Sequence, residues 1–134
     1  MRVGLPGWSL QLDPGWDAET TPMSLLLSAA EEGGELELGQ AHLASGIVCE
    51  ADLRAAAAAV PGPWSALETV QCGSFAGLVM SGTEDGLAFR WWFLGQGALL
   101  LRAAYNGLPR CSAVELAQCE AMLATLRPER VLDL

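Results

Sequence analysis

At 134 residues the chain is long enough for one domain with a hydrophobic core of its own, and 51% apolar residues rule out a disordered acidic tail. The 7 cationic residues, all arginine, stand against 16 acidic ones, for a net charge of −9. Such a field repels phosphate backbones and anionic lipid, so no nucleic acid is expected as a partner, and a protein partner of basic charge fits better.

The apolar runs are short and broken by Gly, Pro and charge, none nearing the roughly 20 residues of a membrane span. "MRVGLPGWSL" lacks the apolar stretch of about 7–15 residues that marks a secretory signal, so a cytoplasmic location is expected. "GWSLQL" (7–12) reads as a short strand closed by Asp13-Pro14-Gly15. The alternation on either side of "EEGG" predicts a hairpin over about 23–30 and 35–43, with Leu36 and Leu38 on one side and Glu35 and Glu37 on the other.

"CEADLRAAAAAV" (49–60) predicts a helix, with acidic residues in its first turn and Pro61 as its stop. "GPWSALET" reads as a return to strand. Two further strands, about 68–72 and 75–82, are separated or bulged at Gly73, and "TEDG" turns the chain into Leu87–Leu94. "GQG" and Ala98–Tyr105 complete a meander. Ser112-Ala113-Val114-Glu115 reads as a capping box, and Leu116, Cys119, Leu123 and Leu126 form one apolar stripe before Pro128. These elements predict a single α+β domain. An antiparallel sheet of five to seven strands is flanked by helices at about 50–60 and 112–126, in an α/β/α-sandwich-like arrangement.

"LAFRWWFLGQGALLLRAAY" (87–105) holds an arginine in each of two apolar strands. A three-residue loop Gly95-Gln96-Gly97 would set Arg90 directly opposite Arg102 on the face that also carries Trp92. The other face, with Phe89, Trp91 and Phe93, would then carry the C-terminal helix, and the Ala-rich helix would cover the arginines. Like charges so close need a carboxylate nearby, such as Glu35, Glu37 or one on a helix. The sharper reading is a site for a small anion or an acidic peptide between the two forks. Arg90, Trp92 and Arg102 are therefore the candidate binding residues.

Catalytic patterns are scarce. The chain has no lysine, a single His42, and no nucleophile elbow, P-loop, dinucleotide fingerprint or zinc-protease motif. Glu31/Glu32 and Glu84/Asp85 read as solvated turn carboxylates. Cys49, Cys72, Cys111 and Cys119 lack zinc spacing and read as thiols, Cys111 lying just before the predicted second helix. No metal, cofactor or catalytic residue is implied. Trp8, Trp91 and Trp92 read as core, while Trp16 and Trp64 would staple strands to helices.

"LDPGW" (Leu12–Trp16), the mid-chain helix before the meander and the closing "MLATLR" (Met122–Arg127) resemble the PsbP-like family. Its members are small α/β proteins with an antiparallel sheet between helices. They include a photosystem accessory subunit, a Ran-binding nuclear import factor and many bacterial proteins of unknown role. The resemblance implies an adaptor or assembly factor and supplies no catalytic residues. The small acidic chain also looks like bacterial immunity proteins and type III secretion chaperones, although the latter begin with a helix and "RVGLPGWSLQL" does not. The expected function is non-catalytic protein binding in a bacterial cytoplasm, as a toxin-immunity or secretion-accessory protein. A small anionic-ligand binder or minor enzyme using the Arg90/Arg102 face is the alternative, and a sheet edge would also allow a homodimer.

Overall fold

The computed structural model describes residues 1–30, 33–44 and 46–129. The chain runs β1 (Arg2–Leu5), β2 (Trp8–Gln11), β3 (Trp16–Thr20), β4 (Ser24–Ala29), β5 (Glu35–His42), α1 (Glu50–Ala58), β6 (Glu68–Cys72), β7 (Phe75–Glu84), β8 (Leu87–Gln96), β9 (Leu99–Gly107), α2 (Pro109–Leu123) and β10 (Arg127–Pro128). Seven strands form an antiparallel sheet in the order β3-β4-β5-β9-β8-β7-β6, and β1-β2-β10 form a small second sheet. The expected α+β class is the one observed, with α1 on one face of the large sheet and α2 on the other.

Alternation makes the large sheet two-sided. Leu25 and Leu27 of β4, Leu36 and Leu38 of β5, and Leu101 and Tyr105 of β9 are fully buried on the α2 side. Cys119, Met122 and Leu123 of α2, and Trp8 and Leu10 of the small sheet, close this core from above. Burying each large apolar side chain contributes about 1.5–3 kcal/mol, so this layer supplies most of the stability. The second core, under α1, is smaller: Leu53 and Ala57 pack on Leu78, Met80 and Phe93. Alanines on α1 let it approach β7 and β8 closely, as its composition suggested.

Several expectations change. The strand β3 was hidden in "WDAET", whose charged residues masked the alternation. The stretch 61–67 is not a strand. It is held by Ser65 N–H donating to the Ser81 carbonyl at 2.7 Å and by Trp64 Nε1 donating to the Val60 carbonyl at 3.0 Å. The second helix begins at Pro109 rather than 112 and ends at Leu123 rather than 126, with Pro109 in its first turn, where a missing N–H costs nothing. Ser112 therefore lies inside the helix, and its hydroxyl donates to the Pro109 carbonyl.

The register of the β8–β9 hairpin is the largest correction. Gln96 pairs with Leu99, so the loop is the two residues Gly97-Ala98, with φ +59 at Gly97. Two-residue hairpin loops need that left-handed conformation, which glycine adopts without strain. Gly95 belongs to the strand, where an added Cβ would strike the Val48 side chain. Arg90 consequently faces Tyr105 instead of Arg102, a slip of three residues. An odd slip exchanges the faces of one strand relative to the other. β9 keeps its expected sides, but β8 is turned over: Trp92 and Leu94 join the α2 core, and Phe93 and Trp91 lie toward α1.

Candidate interaction surface

Because α1 lies over β7 and β8, the α1 side of the sheet is covered on one half and open on the other. Two cross-strand rows span the open half. One runs Asp17–Ser28–Glu35–Asn106–Phe89, and the other Glu19–Leu26–Glu37–Ala104–Trp91. Asp17, Glu19, Glu35 and Glu37 are all exposed. Their carboxylates form two columns, on β3 and β5, separated by neutral β4. Two strand spacings amount to about 9.6 Å, so the columns repel each other weakly in salt while their fields add outward.

The border with the covered half is aromatic. Trp64 packs at 5.5 Å from the Phe89 ring and 6.1 Å from the Trp91 ring, and all three are partly buried. Gly82 makes room for the 60–67 segment, since a Cβ there would meet the Pro63 carbonyl at 2.6 Å. The Trp91 indole N–H is buried without an acceptor. Arg102 rises from β9 beside these rings, its guanidinium carbon 5.7 Å from the Trp91 ring centroid. It is exposed and, among the described residues, makes no ion pair. Below it, a groove of about 500 Å³ runs between α1 and β5/β9, lined by Met23, Glu37, Ala41, Ala56, Leu100 and Arg102.

The three binding residues expected from sequence are therefore dispersed. Trp92 is 1% exposed in the α2 core. Arg90 is on that side too, stacked over Trp92 at 6.0 Å and ion-paired with Glu120 of α2. It ties β8 to the helix, as the helix-carboxylate reading anticipated. Only Arg102 reaches the open face, so the two guanidinium groups do not converge on a shared anion.

The other candidates are also separated. His42 is exposed at the end of β5 opposite Leu99. Cys111 lines a cavity near Ala29 and Glu115, and Gly34, which abuts Glu115, precedes the other end of β5. At about 3.3 Å per strand residue, the eight-residue strand keeps His42 and Cys111 far apart. Cys72 is buried, which pushes its thiol up to about 11, and burial raises Cys119 as well. Such thiols are poor nucleophiles. Glu84/Asp85 are exposed on a tight turn with Asp85 at φ 53, and Glu31/Glu32 lie outside the described residues. Among the described residues, no group of three His, Cys, Asp or Glu side chains could hold a metal, and no helix is long and apolar enough to cross a membrane.

Two features escaped sequence reasoning. Asp17 and Glu19 join the acidic face only because β3 exists, a strand signalled by the Trp16/Ala18/Thr20 alternation. Glu115 is 4% exposed, its Oε1 accepting from the Tyr105 hydroxyl at 2.6 Å while Oε2 is unpartnered. Its spacing of four and eight residues from Cys119 and Leu123 puts it on their buried stripe, but the capping-box reading had assigned it to the helix start.

Fold and surface together define an antiparallel α+β protein with a helix on each sheet face and one acidic half-face left open. No protein-family profile matches the chain, and neither does any curated protein sequence. Solved structures do match in fold. A protein from Bacteroides thetaiotaomicron superposes with a TM-score of 0.66 at 16% identity, over 92% of this chain and 45% of its own. The chain thus spans less than half the length of that neighbour. LpqN of Mycobacterium tuberculosis, described as involved in cell envelope biogenesis, superposes with a TM-score of 0.63 at 14% identity, over 97% of this chain and 90% of its own.

Proposed function

We propose that this chain is a non-catalytic protein-binding module whose open half-face docks a protein partner of basic charge. The observation that carries the reading is the pair of carboxylate columns on β3 and β5, exposed where α1 leaves the sheet uncovered. Sheet faces left to solvent are ordinarily polar throughout. This one also borders an aromatic ledge and an alanine-lined groove, which suits burial against another surface. Complementary charge would speed encounter with a basic partner and fix its orientation.

The concrete form we favour is a toxin-immunity or secretion-accessory protein working in a bacterial cytoplasm, a reading supported by the resemblance of "LDPGW" and "MLATLR" to the PsbP-like adaptors. The involvement of LpqN in cell envelope biogenesis belongs to that protein, and the likeness at 14% identity concerns fold alone. The test is affinity capture from the native lysate, alongside the variant Asp17→Asn/Glu19→Gln/Glu35→Gln/Glu37→Gln. One stoichiometric basic partner, lost with the variant, supports the proposal. A partner retained by the variant, or one that is acidic, contradicts it.

A further inference from the structure

We infer that the strip between the Phe89/Trp91 ledge and the Glu35/Glu37 column is a seat for an arginine side chain of the partner. The inference rests on the docking surface proposed above and specifies its chemistry. Trp91 and Glu37 occupy one cross-strand row with only Ala104 between them, and Phe89 and Glu35 occupy the next with Asn106 between them. A guanidinium is planar, stacks on indole rings and offers a fork of donors to a carboxylate. The row supplies both halves of that recognition, about two strand spacings apart and across a methyl-sized floor.

The chain's own Arg102 shows that the Trp91 ring accepts a guanidinium. Arg102 uses only half of the seat. It stacks on Trp91, but its Cα lies opposite Gly39, two residues from the Ala104–Glu37 pair, and it makes no ion pair among the described residues. An exposed stack of this kind is weak, so an incoming arginine that also reaches Glu37 displaces it. Arg102 is then an internal competitor, and its groove receives it on release. Lysine, a point charge without a stacking plane, profits from the carboxylates but far less from the ring.

The experiment compares capped nona-arginine and nona-lysine peptides by isothermal titration against the wild-type chain and four variants. The seat predicts about tenfold tighter binding of the arginine peptide, a preference that Trp91→Leu largely removes and Trp91→Phe retains. Arg102→Ala raises affinity for both peptides through charge, and in addition widens the arginine-to-lysine ratio severalfold. Equal affinities for the two peptides, or a ratio unmoved by both Trp91→Leu and Arg102→Ala, overturns the seat. If both peptides bind equally and are lost with Glu35→Gln/Glu37→Gln, the seat fails while the acidic docking face stands. If neither peptide responds to that variant, the docking face fails with it.

Discussion

The Tyr105 hydroxyl donates to Glu115 Oε1 at 2.6 Å, joining β9 to α2 through a phenol that is 0% exposed and a carboxyl that is 4% exposed. Removing the donor would leave a buried carboxyl with neither oxygen partnered, since Oε2 has no partner already. Tyr105→Phe is expected to cost about 1–3 kcal/mol, read from urea midpoints at constant m-value. A neutral result would mean that Glu115 is solvated.

That carboxyl is seated against two glycines. An added Cβ at Gly34 would strike the Glu115 carboxylate, and one at Gly107 would strike the Tyr105 hydroxyl and Glu115 Oε1. Gly34→Ala and Gly107→Ala should therefore each destabilise by about 1–3 kcal/mol, the cost of overpacking a filled site. Gly39→Ala, where nothing lies within 4 Å of the added Cβ, serves as the unstrained comparison and should cost less.

The two hairpin arginines should separate stability from binding. Arg90 is ion-paired with Glu120 and stacked on buried Trp92, so Arg90→Gln should lower stability by roughly 1 kcal/mol and leave basic-peptide affinity nearly unchanged. Arg102→Ala should do the reverse, since its side chain is exposed. Thermal melts and peptide titrations on the two variants check both halves. Matching behaviour of the two would contradict the register.

Buried thiols make the fold sensitive to alkali. The Cys72 thiol rises from an ordinary 9.0 to about 11, chiefly by burial and next by the nearby Glu120 charge. Between those values the folded protein keeps a proton that the unfolded chain has released, so stability is full below pH 9 and falls as pH rises. The slope is about 1.4 kcal/mol per pH unit for each such thiol, and Cys119 acts in the same direction. Urea midpoints at pH 8 to 10.5 should show this fall, and Cys72→Ala should flatten it.

Most of the fold was legible in the sequence because local signals agreed with tertiary demands. The β4–β5 hairpin and the Ala-rich helix carry periodicity, turn residues and stop signals that point the same way. Leu36 and Leu38 are buried and Glu35 and Glu37 exposed, as alternation required. The candidate site was less legible because it depended on register. "GQG" offers glycine at two positions, and nothing local says that Gly95 serves Val48 while Gly97 makes the turn. That single ambiguity turned β8 over, placing Arg90 and Trp92 on the face that in fact holds Trp91. The capping-box pattern at Ser112 likewise competed with Pro109, and the proline's preference for the first turn prevailed. Ser112→Ala should accordingly shift stability by no more than about 0.5 kcal/mol.

The location of the docking face is tested most directly by two variants of equal charge. Asp17→Asn/Glu19→Gln/Glu35→Gln/Glu37→Gln neutralises the open face. Glu50→Gln/Glu68→Gln/Glu84→Gln/Asp85→Asn removes the same number of exposed carboxylates elsewhere. Titrated with nona-lysine at about 0.15 M salt, where charges beyond roughly 8 Å are screened, the first variant should lose at least about tenfold in affinity and the second far less. Equal losses would mean that only net charge attracts basic chains, and would contradict a docking face on β3, β4, β5 and β9.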